Sequence, residues 1–327
     1  MERFTTNKND SRKMNNYYIG YAANPIIRKE ATSGGIGSSI LKYLFDNNII
    51  QTSITFDFND KTLSYEPRLI YKYDDYKITG SIYHEIPLIK FIKEKQSEIK
   101  GRFACFVLPC QAQAIRSILN KSNIQSFLIG LTCSSQQDID ATYYLLKRLH
   151  IQKENVQYIQ YRGNGWPSGI QITLKNQKSQ FIPNNTSIWS QIFHSRLFIQ
   201  KRCFSCKNTF NNYSDIALAD PWIKEYVSQE KIGQTIIICH TQKGNSILEK
   251  AKQETYISIR PIEEDIVLQS QAGTLRRKEL YLNNYRLIQK ISKIFLSKQY
   301  RSYIINSNIL FIIHNKIKRF IETKLLK

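Results

Sequence analysis

Acidic residues are scarce in this chain of 327 residues: 26 Asp and Glu stand against 47 Lys and Arg, a formal charge of +21. The excess suggests a polyanion or an anionic membrane surface as a neighbour and says nothing about fold. Long apolar runs are missing. The longest candidate, Ile309 to Ile313, is far too short to span a membrane. Residues 1 to 16 (MERFTTNKNDSRKMNN) have no apolar stretch of signal-peptide type. A cytoplasmic protein is therefore expected, and its six cysteines read as buried thiols, metal ligands or reactive groups rather than disulfides. No cysteine precedes Cys105. There is no G-x-G-x-x-G or Walker loop. No helix-turn-helix, zinc-finger spacing or RNP motif supports nucleic-acid binding. Collagen-like, coiled-coil and disulfide-dense classes are excluded by composition. With 42% apolar residues the chain is not disordered, and its length suits two domains or one large one.

What is present reads mainly as α/β. Tyr17 to Ala22 predicts a strand. Ser33-Gly34-Gly35 opens a segment whose Ile36, Ile40, Leu41 and Leu44 have helical spacing. Ile50 to Phe58 and, more weakly, Pro67 to Tyr73 predict strands, and Ile86 to Ile99 an amphipathic helix. Arg102 to Leu108 predicts a buried strand, Pro109-Cys110-Gln111 turns into a helix, and Ser126 to Thr132 is a second buried strand before a helix over Gln136 to His150. Strand, helix, strand, helix with short connections favours parallel pairing. Further strands are expected at Val156 to Arg162, Ile170 to Leu174, Ile216 to Ala219 and Gln234 to His240, with helices at Ser187 to Phe198 and Lys243 to Gln253. The fold class expected is α/β: a mixed, largely parallel sheet core, an irregular cysteine-containing loop region over Lys201 to Trp222, and a helical C-terminal extension. The divisions expected are a disordered tail over 1–16, a main domain over 17–275 in two parts (17–155 and 156–275), and a basic amphipathic helical extension over 276–327.

The cysteines carry the chemistry. Cys203 and Cys206 form a C-x-x-C, a spacing that can turn two sulfurs toward one metal. Cys110 and Cys133 each follow a predicted parallel strand. Were those strands neighbours, about 4.8 Å apart, both sulfurs would emerge at the carboxyl edge, where open α/β sheets bind ligands. Four thiols converging there could hold zinc or an iron–sulfur cluster. Alternatively Cys110, at a helix N-terminus, is a thiol nucleophile. Cys105 and Cys239 lie mid-strand and read as core. Ser33-Gly34-Gly35 could let a backbone approach a phosphate, or could simply start a helix.

The succession Y-x-G-Y-A, T-S-G-G, G-S-I-Y-H, L-P-C-Q, L-T-C, Y-R-G-N-G-W, C-F-S-C and S-D-I-A-L-A-D-P-W, from about Tyr18 to about Gly273, resembles the coenzyme F420 hydrogenase/dehydrogenase beta subunit family of iron–sulfur flavoproteins. It resembles a short form that lacks the N-terminal ferredoxin-like cysteines, as found near bacterial polysaccharide biosynthesis enzymes. The resemblance implies an oxidoreductase that moves electrons between FAD and a 4Fe–4S cluster, with a redox partner protein. It implies that Cys110, Cys133, Cys203 and Cys206 ligate the cluster and that Ser33, Gly34 and Gly35 lie against the flavin phosphates. It implies further that Ser81, Gln111, Arg162 and Trp166 lie near the cofactors, and that Asp215, Asp220 and Trp222 match the family's D-x-x-x-x-D-x-W element. Lys201, Arg202 and Lys207 around the C-x-x-C would raise the cluster's potential.

The end of the chain stands apart. Residues 276–327 carry 13 Lys or Arg against 2 Glu. Ile313, Ile317, Phe320, Ile321 and Lys324 form a helical stripe with basic flanks. Such a helix packs on its own domain or lies on an anionic membrane surface at the inner face of the cytoplasmic membrane. The readings that compete with a flavin- and iron-dependent enzyme are a scaffold that keeps a structural metal and a zinc-dependent enzyme.

Overall fold

The structure, a computed structural model, describes residues 16–184 and 187–325. The tail expected over 1–16 lies outside the described residues, apart from Asn16, which opens the first strand. The strands are β1 (Asn16–Ala22), β2 (Ser53–Asn59), β3 (Ser64–Ile70), β4 (Phe103–Val107), β5 (Ser126–Leu131), β6 (Val156–Gln160), β7 (Gly169–Leu174), β8 (Ser179–Pro183), β9 (Ile216–Ala219), β10 (Thr235–Cys239) and β11 (Ile257–Pro261). The helices before the last third are α1 (Pro25–Glu30), α2 (Ile36–Asp46), α3 (Leu88–Lys95), α4 (Pro109–Lys121), α5 (Asp140–Arg148), α6 (Ile188–His194), α7 (Lys224–Gln229) and α8 (Gln242–Gln253). A helical run follows: α9 (Glu264–Ser270), α10 (Ala272–Asn283), α11 (Tyr285–Phe295), α12 (Lys298–Ile305) and α13 (Asn308–Phe320).

A six-stranded sheet in the order β11-β1-β10-β9-β5-β4 organises the molecule. β4, β5 and β9 run parallel, and the remaining pairings are antiparallel. The sheet is mixed, with its parallel part where the strand–helix alternation is tightest. Successive residues of β4 face opposite layers. Phe103, Cys105 and Val107 pack with Ile115 and Leu119 of α4 and Leu145 of α5. Ala104, with Phe127 and Ile129 of β5, packs against Ile36, Ile40, Leu41 and Leu44 of α2 and Leu248 of α8. Each such large apolar side chain, once buried, contributes roughly 1.5–3 kcal/mol. The hairpin β2–β3 and the antiparallel sheet β6-β7-β8 are smaller satellites.

The C-terminal helices pack on the body. Phe311 is fully buried, edge-on to Tyr144 at 5.1 Å. His314 is buried between the Tyr300 hydroxyl (2.9 Å) and the Ser195 carbonyl (2.8 Å). The stripe does not pack on the body, one of the two arrangements expected of it: Ile313, Ile317 and Phe320 are exposed, together with Ile309 and Ile312. Among the described residues no helix is long and apolar enough to cross a membrane.

Candidate functional site

The carboxyl ends of β4, β5 and β9 lie at one edge of the sheet, and each is followed by a residue singled out above. Cys110 stands in the first turn of α4 after β4. Cys133 follows β5. Asp220 follows β9. The β4–α4 turn is tight because Pro109 occupies the first helical position and the Gln111 side-chain oxygen accepts the Leu108 N–H at 3.0 Å. Asn211 ties the strand tips together. Its buried amide nitrogen donates to the carbonyls of Val107 (2.7 Å) and Leu131 (3.4 Å), the last residues of β4 and β5. Gly130 makes room for it, since a Cβ there would stand 2.8 Å from the Asn211 amide nitrogen.

β1 runs the same way as β9, so the Ser33–Gly35 turn reaches the same edge. Gly34 (φ +85°) and Gly35 (φ +74°) both lie in the left-handed region. A Cβ on Gly34 would come within 2.9 Å of the Gln234 Cα, and one on Gly35 within 2.8 Å of the Ile27 carbonyl oxygen. No side chain caps the α2 N-terminus that follows. Its first N–H groups have no intrahelical acceptor, and Ile36, Gly37 and Ser38 line a cavity.

That cavity has a volume of about 920 Å³, at the upper end for ligand pockets. Ser33, Gly35, Ser81, Gln111, Arg162 and Cys133 line it. Ser81 donates to the Thr32 hydroxyl at 3.2 Å. Arg162 is buried and forks onto Asp220 at 2.7 and 3.1 Å. Asp220 also accepts the Trp166 indole N–H at 3.1 Å, and Trp166 packs on Trp222, ring centres 5.2 Å apart. Gly34 and Trp166 sit behind the cavity wall. Asp215, the other carboxylate of the D-x-x-x-x-D element, precedes β9 and lies at the opposite edge of the sheet. It is 4% exposed and accepts from Leu128 N (2.8 Å), Arg116 (3.0 Å) and Thr241 (3.1 Å). Of the matched pair, one carboxylate faces the cavity and one holds the fold. His84, from the G-S-I-Y-H segment, is also structural: buried, it accepts the Tyr65 N–H at 2.9 Å.

Two of the cysteines are core residues, as expected. Cys105 and Cys239 are buried in the sheet, and burial pushes the Cys239 thiol up to about 11. Cys110 is exposed, and Cys133, Cys203 and Cys206 are partly buried. Burial pushes the Cys133 thiol up to about 12, and the neighbouring Cys203, Cys110 and Cys206 push the same way while Lys278 opposes them. The Cys203 thiol is raised by burial and, more weakly, by Cys206 and Cys110. By hydrogen bonding, Lys278 links the Cys133 carbonyl to the Cys206 sulfur. Yet among the described residues no three His, Cys, Asp or Glu side chains stand close enough together to hold a metal ion. Among the described residues, therefore, neither the cluster expected at Cys110, Cys133, Cys203 and Cys206 nor a zinc ion finds a grouped set of ligands. Cys133 is joined to the cysteine loop through its N–H and the Thr209 carbonyl (3.1 Å).

Lys278, on α10, went unnoticed in the sequence because it sits in a basic run that reads as a solvated face. It is 6% exposed and donates to the carbonyls of Cys133 (2.9 Å) and Asn208 (3.0 Å) and to the Cys206 sulfur (3.5 Å). Among the described residues it has no carboxylate partner. Of the three cations expected to act on the thiols, Arg202 does stand beside Cys110, but it pairs with Glu85 at 2.7 Å. Lys201 and Lys207 are exposed.

A large cavity at the carboxyl edge of a mixed α/β sheet, lined by Cys133 and by Ser33 and Gly35 of the glycine turn, stands where open α/β sheets bind ligands. Comparison with known proteins makes this specific. The model of the coenzyme F420 hydrogenase/dehydrogenase beta subunit N-term matches residues 17–93, and that of its C terminus matches residues 100–265. The chain belongs to the coenzyme F420 hydrogenase/dehydrogenase beta subunit family, a redox family. It is similar in fold to a chain of the xenon-derivatized F420-reducing [NiFe] hydrogenase complex from Methanosarcina barkeri, with a TM-score of 0.62 and 17% identity over 84% of this chain and 93% of that one. No curated protein matches. α10 to α13 lie beyond both family matches.

Proposed function

We propose that the protein is an iron–sulfur flavoprotein oxidoreductase that binds FAD in the cavity and a 4Fe–4S cluster at Cys110, Cys133, Cys203 and Cys206. The observation that carries this reading is Lys278: a buried ammonium with two carbonyls, a sulfur and no carboxylate around it. Burying such a charge is costly unless an anion accompanies it, and a cluster held by four thiolates is an anion. When bound, the flavin would exchange electrons in pairs or singly and the cluster one at a time. The Ser33–Gly35 turn and the bare α2 N-terminus would seat the flavin's phosphates. Arg162, its charge met by Asp220, would give the cofactor a wall of fixed orientation.

The fold likeness to a chain of a multi-subunit hydrogenase complex supports a redox partner protein. We place the protein in the cytoplasm and its substrate among surface-polysaccharide precursors, the latter on the family resemblance. The test is an anaerobic preparation assayed for absorption spectrum, flavin, iron and acid-labile sulfide. Brown protein that loses iron but keeps its fold in Cys133→Ser supports the proposal. Colourless protein with stoichiometric zinc points to a zinc enzyme, and colourless metal-free protein to a scaffold. Either result overturns the proposal.

The outer face of α13 supports a second reading, contact with an anionic membrane surface. Ile309, Ile312, Ile313, Ile317 and Phe320 are exposed, and Lys316 and Arg319 flank them. Removing the extension would uncover Phe311, so the test uses Ile313→Asp with Ile317→Asp. Flotation with anionic vesicles that is unchanged by the pair counts against it.

A further inference from the structure

One end of the cavity is walled by cations that the reading above leaves unused. Arg196 is 2% exposed, and its Nη1 donates to the Ser135 hydroxyl at 3.2 Å while its Nε has no partner. Arg277, on α10, donates to the carbonyl and hydroxyl of Ser134, both at 2.9 Å. Lys318, on α13, donates to the His194 carbonyl (3.0 Å) and pairs with Glu322 (2.7 Å). Glu322 also accepts the Tyr281 hydroxyl. Arg196, Arg277, Lys318 and Glu322 all line the cavity. The one carboxylate, Glu322, pairs with Lys318, and neither arginine has a carboxylate partner among the described residues. Contrast Arg162 in the same cavity, whose charge Asp220 meets squarely.

We infer that this end of the cavity is a subsite for a phosphate or diphosphate group, gripped by Arg196, Arg277 and Lys318. The net charge of the cluster is about two positive, which matches a doubly charged phosphoryl group, and two guanidinium forks suit its oxygens. The cations also strain against each other. Arg277 is lowered to about 10, by burial first and then by Arg196. Lys318 is lowered by burial, with Glu322 opposing and Arg196 and Arg277 adding to the fall. A bound dianion relieves that repulsion.

Two phosphoryl sources fit this chemistry: the diphosphate of the flavin and a phosphate on a second ligand. The topology favours the second. The Ser33–Gly35 turn follows β1, whereas Ser134 and Ser135 follow β5. The order β1-β10-β9-β5 puts three strand spacings between them, about 14 Å at the usual separation. The subsite adjoins Cys133 instead. Two of its three cations come from helices beyond the family matches, so this subsite is a property of the extension. It rests on the flavin reading only for the claim that cavity space remains for a second ligand.

The experiment titrates inorganic pyrophosphate into the full-length protein as purified, by calorimetry, with flavin per chain measured on the same samples. Wild type is expected to bind. Arg277→Gln, on the outer wall, and Arg196→Gln are expected to weaken binding at least about tenfold, the loss of one charged hydrogen-bonding group, with flavin content unchanged. Arg277→Gln is the deciding variant should Arg196→Gln misfold. Undiminished binding in Arg277→Gln, or no binding by wild type, overturns the inference. So does release of flavin by pyrophosphate, or loss of flavin from the variants, which assigns the cations to the cofactor. Protein without flavin that binds pyrophosphate, and loses it in Arg277→Gln, retains the subsite while the proposed function fails.

Discussion

Replacing Asp215 by Ala tests whether the first carboxylate of D-x-x-x-x-D serves the fold or the site. Its oxygens accept from the Leu128 backbone in β5, from Arg116 on α4 and from Thr241 before α8. The Leu128 N–H would be left buried without an acceptor, at about 1–3 kcal/mol. The Thr241 hydroxyl would lose a bond of roughly 1 kcal/mol. Arg116, whose side chain is 31% exposed, can turn to water and adds little. The sum is about 2–4 kcal/mol. At about 2.1 cal/mol/K per residue, the 327-residue chain unfolds with an entropy of roughly 0.7 kcal/mol/K, so Tm should fall by about 3–6 °C. Asp215→Asn keeps one acceptor oxygen and should lose about half as much. Calorimetry on protein assayed for flavin and iron reads both effects. A D215A protein with the wild-type Tm and no cofactor would refute the reasoning.

Three further outcomes follow from the geometry. Arg162→Met strands the Asp220 carboxylate and should cost about 3–5 kcal/mol in urea denaturation, while adding Asp220→Leu should return most of it; additive costs would count against a coupled pair. Phe311→Ala should cost about 3–5 kcal/mol, since the ring is fully buried beside Tyr144; a neutral effect would mean that α13 does not pack there. His84 and His314 are both lowered, mainly by burial. A histidine whose folded pKa lies below its unfolded value of about 6.5 stabilises fully above that pH and progressively less as pH falls through it. Tm should therefore drop between pH 7.5 and 5.5, and His84→Asn should shallow the slope; parallel slopes would exclude the ring.

Much of the parallel part of the sheet was legible. β4 and β5 are unbroken apolar runs, the turn between β4 and α4 is marked by Pro109, and so Cys110 and Cys133 could be placed on one edge before any coordinates. β11 was not read, because only Ile257 and Ile259 of its five residues are buried. The antiparallel direction of β1 against β10 was hidden too, since side-chain pattern records burial and not strand polarity. In α13 the stripe of Ile313, Ile317 and Phe320 marks the exposed face and not the one that packs on the body. The inward face carries Phe311, His314 and Lys318, and two of these are polar. His314 is buried and Lys318 partly so because carbonyls of Ser195 and His194 receive their N–H groups, partners far away in the sequence. Lys278 and Arg277 were invisible for the same reason.

Asn211 holds the tips of two strands with the two hydrogens of one amide. Hydrolysis of that amide to a carboxylate would exchange one heavy atom for another of nearly equal size and set a negative oxygen against two carbonyls. The clasp would become a wedge between the ends of β4 and β5, so chemical ageing at this single buried position would register far beyond its own volume.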